Sequence, residues 1–411
     1  MRAIIVGNAD LRGTIAAIRA LARAGWTVGI GSPRRGHATA SRFCSAWHPV
    51  PLLGRSREQF VHAINAAVAD GDYDLAFGGG DAEVLALSAV RNDLHLNIPY
   101  ADNDSVRRAM DKVDLYRAAE HIGIKMPRTA VATEEAIAQV RDRVIVKPRL
   151  HWSPGHWASP SRLEAAVVRT AHEAERQVRR ITDAGGTALL QEFVEGQLMA
   201  YVALTSKTSN VVAGFMQAAT AKWPLQAGIF ARAVTVAASK NLAAQISQLL
   251  GELGWFGITQ LQFIQPANGD PHLIDFNGRF YMSLSLPVEA GLNLPAMWAS
   301  LALNREPSSQ VASLQVGLQY QWLELDLRRA LVERRGGIMR DVLDTLSFAR
   351  RATHTMCTRD DPGPAMDYLL RLCVRAGRLR KTEGQKCGGS MSRDSNASLE
   401  AVRPTLPDRG A

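Results

Sequence analysis

A chain of 411 residues, 46% hydrophobic and 21% charged, is long enough for two or three domains around a sizeable core. Apolar runs such as AIIVG (3–7) and LAFGGG (75–80) are strand length and fall far short of the ~20 residues of a membrane span, so no membrane partner is expected. The net charge of +9 gathers late, in RRALVERR, ARRATH and RLCVRAGRLRK, without interleaved aromatics, which reads as a solvated basic region rather than a nucleic-acid surface.

The opening residues, MRAIIVGNADLRG, form a strand-and-turn pattern without the long apolar region and small-residue cleavage site of a signal peptide, and place the chain in the cytoplasm. Cys44, Cys357, Cys373 and Cys387 are scattered, with no C-x-x-C pair, so neither disulfides nor structural zinc are expected. After AIIVG comes a helix with Ile15, Ile18, Leu21 and Ala22 on one face, then TVGIG (27–31), a helix around Phe60, Ile64 and Val68, and DLAFGGG (74–80). Strand alternating with helix predicts a doubly wound parallel α/β domain over residues 1–102. Its first turn, GNADLRG, lacks both the G-x-G-x-x-G spacing and the Lys-Ser/Thr of a phosphate loop, which excludes a dinucleotide or Walker-type site there.

Residues 103–127 predict one helix, capped by Asn103 or Asp104 and ending at Gly123 and Pro127. RVIVKP (143–148) predicts a strand, 163–181 a periodic helix, and ALLQEFVEG (188–196) a strand ending in a turn. YVALTS, VVAGFMQAAT and ARAVTVAAS then read as antiparallel strands, and 243–255 as a helix. ITQLQFI (258–264), a turn at Asn268-Gly269 and HLIDFNGRF (272–280) complete a hairpin. LSLPVEAGLNLPAMW predicts an apolar helix, and 306–380 a helical C-terminal region. Residues 381–411 lack apolar periodicity and are expected to be disordered.

In HLIDFNGRF, Asp275, Asn277 and Arg279 are spaced by two and share one face of a strand. By themselves they read better as a short exposed edge strand running into a turn at Gly278. Pairing across the hairpin brings Gln262 near Asp275 and Asn277, and these three oxygens form the hard donor set that suits Mg²⁺ when phosphates complete the shell. Arg279 beside them offers a fork of donors for phosphate or carboxylate. Lys147 ends the apolar strand VIVKP, where it either reaches solvent or meets a buried partner. Lys112 begins a helical stretch and alone reads as a surface residue.

This order of motifs resembles the ATP-grasp superfamily: an α/β domain, a helix with Asp-Lys, V-I-V-K-P, a strand similar to E-x-x-x-G, and a hairpin ending like E-x-N-x-R. The resemblance runs from about residue 1 to 305 and is closest to carboxylate-amine ligases. It implies a doubly wound N-terminal domain (1–102) followed by an antiparallel ATP-grasp domain (103–305), in which a small nucleotide-covering part (127–196) precedes a catalytic part (197–305). It further implies that Lys112 and Lys147 bind phosphates, that Gln191, Glu192, Phe193 and Val194 hold adenine, that Gln262, Asp275 and Asn277 hold Mg²⁺, and that Arg279 meets the transferred phosphate or substrate carboxylate. Arg232 is the further candidate for the acceptor carboxylate; a plain exposed strand residue is the other reading.

Three departures stand out: Gln262 replaces an acid, Asp275 replaces Glu, and Leu198 stands where a ribose-binding Glu is usual. The loop 149–160 keeps only Gly155 of a glycine-rich lid, and its His151, Trp152, His156 and Trp157 either close over a triphosphate or face solvent. The activity implied is ATP-dependent joining of a small carboxylate to an amine through an acyl phosphate, with ATP and Mg²⁺ as cofactors and a homodimer as the common assembly. The alternatives are a carboxylase using bicarbonate and a catalytically weak nucleotide-binding module.

Overall fold

The computed structural model describes residues 1–51, 56–152, 164–225, 228–306 and 314–386. The chain divides into two compact units, Met1–Asp367 and Tyr368–Ala411. The first begins with β1 (Arg2–Val6), α1 (Arg12–Arg23), β2 (Thr27–Ser32), β3 (Cys44–Pro49), α2 (Arg57–Gly71) and β4 (Leu75–Gly78). These strands form the expected parallel sheet in the order β3-β2-β1-β4. Ile15, Ile18 and Leu21 of α1 are buried. Because β2 lies on one side of β1 and β4 on the other, the carboxyl ends of β1 and β4 flank a topological switch point. α3 (Asp81–Ala89) starts there, straight after Gly78–Gly80.

The single helix expected over 103–127 is two. Asp102 caps α4 (Asn103–Met110), and Asp111, whose backbone is extended, caps α5 (Lys112–His121) by accepting from the amides of Val113 and Asp114. An aspartate that offers its carboxylate to the next turn ends one helix and starts another.

A small antiparallel sheet follows, built from β5 (Thr129–Val131), β6 (Val144–Pro148), β7 (Ala166–Val168) and β8 (Ala188–Glu192), in the order β5-β8-β6-β7. α6 (Glu134–Ala138) joins β5 to β6. The helix expected from residue 163 begins only at Ala171, capped by Thr170, and runs to Asp183 as α7. β-branched Val167 and Val168 take strand geometry beside β6 instead.

The large antiparallel sheet takes β9 (Gln197–Thr205), β10 (Val211–Trp223), β11 (Ile229–Val236), β12 (Gly257–Gln265), β13 (His272–Asn277) and β14 (Gln319–Gln321), in the order β13-β12-β9-β10-β11-β14. α8 (Lys240–Glu252) precedes β12. The β12–β13 hairpin forms as expected, but over the longer connection 266–271 rather than a two-residue turn. The apolar stretch after it is two helices, α9 (Ser285–Glu289) and α10 (Leu294–Ala302), separated at Gly291 with φ +91° and restarted by the Asn293 cap.

Past residue 306 the expected helices form, with one short strand among them. α11 (Leu323–Glu333), α12 (Ile338–Ala349) and α13 (Gly363–Lys386) are helices, but β14 extends the large sheet by pairing with β11. Asp361, fully buried, accepts from Arg19 of α1 and from Ser41, so the segment leading to it is built into the first unit. The expected disordered tail is helical to Lys386; residues 387–411, with Cys387, lie outside the described residues. Cys44, Cys357 and Cys373 are free thiols. Among the described residues no helix is long and apolar enough to cross a membrane.

Candidate functional site

The β-branched run of β6 carries Lys147 to the edge of a cavity of about 400 Å³ between the small sheet and the β12–β13 hairpin. Lys147 is buried; its Nζ donates to the Tyr116 hydroxyl at 2.7 Å and to the Ile274 carbonyl at 2.8 Å. The Tyr116 hydroxyl donates to the same carbonyl at 3.0 Å and accepts from Gln191 Nε2 at 2.8 Å. With one donor and two acceptor positions used, that hydroxyl is saturated. Gln191 also donates to Thr129, which fixes the end of β8 to β5.

Lys112 reaches the same cavity from the first turn of α5 and is likewise buried. Its backbone is pinned, because Lys112 N donates to Arg149 O at 3.1 Å, while the Arg149 Nε donates to both oxygens of Asp111, the cap. Lys112, which sequence alone reads as a surface residue, and Lys147, for which it leaves both readings open, are therefore aimed inward by a cap and by a strand end.

Asp275 arrives through a break in the hairpin ladder. Gln262 pairs with Asp275, but Phe263 pairs with Leu273, so Ile274 is an extra residue on β13. The bulge lets consecutive residues, Ile274 and Asp275, both line the cavity, which strict alternation forbids. Asp275 Oδ1 lies 3.4 Å from Lys112 Nζ and its Oδ2 3.9 Å from His151 Nε2, which itself stands 3.3 Å from Lys112 Nζ. Burial would raise the Asp275 pKa, but Lys112, His151 and Lys147 together hold it well below the usual carboxylate range. Burial, and secondarily the nearby Lys112, bring Lys147 down to about 7 against the partial opposition of Asp275. The Tyr116 phenol is pushed up, chiefly by burial.

Part of the wall is apolar. Leu198 of β9 faces Ile264 in register, and both pack with Ile274. Leu198 is thus part of a hydrophobic floor. Phe193 and Val194 follow β8 along the same cavity, and the Arg143 guanidinium lies 4.4 Å over the Phe193 ring. Glu192, at the exposed end of β8, pairs with Arg128. Lys222 of β10, unremarkable in the sequence, also lines the cavity, as does His151. Gly155, His156 and Trp157 lie outside the described residues.

The cavity thus collects Lys112, Lys147, Gln191, Glu192, Phe193, Val194, Gln262 and Asp275, but three other candidates stand away from it. Asn277, next on the polar face of β13, is buried and accepts from Arg279 Nη2 at 2.9 Å. Arg279 donates to both oxygens of Asp81, at 2.9 and 3.2 Å, joining the hairpin end to the start of α3. Arg232 is neither exposed nor at the cavity. It is buried on β11, where its donors go to Asp326, Asp344 and Thr345 and its guanidinium stacks on Phe348, which corrects the expectation that it is available to an acceptor carboxylate.

The donor chemistry can be matched to a nucleotide and to magnesium. Ligand cavities run from ~300 to 1,000 Å³, and this one joins an apolar floor and aromatic linker to a cationic end, which suits a base and its polyphosphate. Mg²⁺ needs oxygen ligands, and Asp275 and the Gln262 amide supply two side chains. Among the described residues no group of three or more His, Cys, Asp or Glu is placed to hold a metal. The residues fit an ion completed mainly by phosphates.

No protein-family model matches the sequence, and no curated protein does. Solved structures do match. The L-amino acid ligase from Bacillus licheniformis is similar over 77% of this chain and 78% of its own, with TM-score 0.59 and 14% identity. The biotin carboxylase of Campylobacter jejuni, described as a β,γ-ATP complex, matches over 77% of this chain and 74% of its own, with TM-score 0.57 and 14% identity. The biotin carboxylase domain of the Hydrogenobacter thermophilus 2-oxoglutarate carboxylase, described as a dimer with MgADP, ADP and bicarbonate, covers 77% and 73%, with TM-score 0.58 and 11% identity. Identities this low speak to the fold alone.

Proposed function

We propose, for a chain that has the ATP-grasp fold, that it is an ATP-dependent ligase that activates a small carboxylate as an acyl phosphate and joins it to an amine. The observation that carries this reading is the pair of buried lysines, Lys112 and Lys147, set with Asp275 in a cavity that also has an apolar floor of Leu198, Ile264 and Ile274. In the reaction a carboxylate oxygen attacks the γ-phosphorus of ATP, the bond to the β-bridging oxygen breaks and ADP leaves. The amine nitrogen then attacks the acyl carbon, inorganic phosphate departs and the nitrogen loses a proton.

Phosphoryl transfer of this kind asks the protein to position groups and neutralise charge. Lys112 and Lys147 would bind phosphate oxygens, with Tyr116 and the Ile274 carbonyl holding the Lys147 ammonium in place. Gln191, Glu192, Phe193 and Val194 would hold the base over the floor made by Leu198 and Ile264. Gln262 and Asp275 would hold one Mg²⁺, which supplies charge neutralisation at the phosphates. Arg279, tied to Asp81, would act by fixing the hairpin end against the first sheet.

ADP release from ATP and Mg²⁺, measured with pooled carboxylates and amines, tests the reading. Release that needs both a carboxylate and an amine, and is lost in Lys147→Ala and Asp275→Ala, supports a ligase. Release with bicarbonate alone would favour a carboxylase, a second reading motivated by the two carboxylase structures above. The absence of ATP binding would end both. On the same reading the substrates are small molecules, and a homodimer is the assembly to test for.

A further inference from the structure

α12 is turned inside out. Asp341 and Thr345 face inward: Asp341 holds Arg329 through bonds of 3.0 and 2.8 Å, and Thr345 accepts from both Arg232 and Arg329. Phe348, further along that side, lies under the Arg232 guanidinium. At 3.6 residues per turn Met339, Leu343 and Leu346 fall on the opposite side, and they are 73%, 61% and 45% exposed. A surface helix ordinarily does the reverse, burying its apolar stripe. α11, packed beside it, adds Leu331 and Val332, 50% and 56% exposed.

Charge frames this ridge. Arg350 continues the stripe, and Arg328, Arg334, Arg335, Arg340 and Arg351 are exposed around it. The acids nearby are engaged: Glu333 with Arg329 and Arg335, Asp344 with Arg232. The buried polar network accounts for how α12 is held, and among the described residues it leaves the apolar stripe exposed.

We propose that the α11–α12 ridge docks on an anionic lipid surface, with Met339, Leu343 and Leu346 entering the interface and the arginines meeting the headgroups. Exposure this high marks a ridge, so a partner helix seeking a groove finds no walls. A second copy across a two-fold axis would set arginine against arginine. A planar anionic surface accepts both the apolar side chains and the basic rim.

The test is co-sedimentation of the full chain with phosphatidylcholine vesicles, with and without about one third phosphatidylserine. The expected result is binding to the anionic vesicles alone, released by high salt, and weakened at least about tenfold in Met339→Asp/Leu343→Asp. That double variant should keep its melting temperature and its ATP binding. Equal binding to both vesicle types, or equal binding by wild type and variant, would overturn the proposal. So would a wild-type dimer in light scattering that the variant converts to monomer, because the ridge would then be a self-association surface.

Discussion

Lys147 Nζ donates to the main-chain carbonyl of Ile274 at 2.8 Å, and Ile274 is the extra residue of the β13 bulge. The same extra residue brings Asp275 into the cavity opposite Gln262. One irregularity in the ladder thus sets the position of a cation and of its nearest carboxylate together. Lys147→Met removes a charged donor while sparing the Tyr116–Ile274 bond. Nucleotide affinity should fall by the worth of a charge-assisted hydrogen bond, about 1.5–3 kcal/mol or roughly ten- to hundredfold in Kd. Calorimetric titration with a non-hydrolysable ATP analogue measures this, and an unchanged Kd would remove Lys147 from the phosphate site.

The depressed Lys147 pKa has a consequence for stability. An unfolded lysine holds its proton to about 10.4, whereas the folded one gives it up near 7. Between those values the unfolded chain binds more protons, so this group makes stability rise with pH across the window. The penalty of burying the charged form is fully present below about 7. Melting temperature followed from pH 7 to pH 10 should therefore lose part of its upward slope in Lys147→Met. Nucleotide binding favours the charged lysine, so wild-type affinity should decline as pH rises above about 7, and at pH 8 the measured enthalpy should depend on buffer ionisation.

Gln262 limits the acid count where magnesium would sit. Gln262→Glu adds a carboxylate directly across the ladder from Asp275. The expected outcome is tighter divalent-ion binding in the presence of nucleotide, read as Mn²⁺ bound by electron paramagnetic resonance. An unchanged Mn²⁺ affinity would place Gln262 outside the metal's reach.

The parallel first domain, the antiparallel sheets and the hairpin were legible because their signals are local: β-branched runs, period-two alternation and strand-helix alternation. Lys112, Lys147, Gln262 and Asp275 were legible as a group through motif order, although neither lysine is distinctive alone. What stayed hidden depends on contacts far apart in sequence. Nothing local says that Asp81 lies against Arg279, or that Asp326 and Asp344 lie against Arg232. Nor does HLIDFN show which residue is the bulge, since alternation predicts Ile274 on the face opposite Asp275. The helix expected from residue 163 failed for a different reason: its periodicity continues through Val167 and Val168, but pairing with β6 outweighs it.

Arg232 illustrates how an isolated strand arginine misleads. With Asp326 fully buried and Asp344 beside it, Arg232→Met leaves acids facing an apolar side chain. Breaking a buried pair costs about 3–5 kcal/mol, reduced here because Asp326 keeps Arg329. The variant should show a lowered melting temperature with an unchanged KM for the carboxylate. A normal melting temperature with a raised KM would return Arg232 to the substrate site.

The Asp81–Arg279 pair separates a structural arginine from a catalytic one. Both side chains are buried, and Asp81 also sits in the first turn of α3, where a carboxylate is favoured by the helix dipole. Asp81→Ala strands the guanidinium and should cost about 3–5 kcal/mol, whereas Asp81→Ala/Arg279→Met removes both charges and should recover much of that loss. Chemical denaturation of the four proteins in the cycle gives the coupling. Turnover then decides the role: if Arg279 acts by holding the hairpin against the first sheet, the double variant regains activity along with stability. If Arg279 itself meets the transferred phosphate or the carboxylate, stability returns and activity does not.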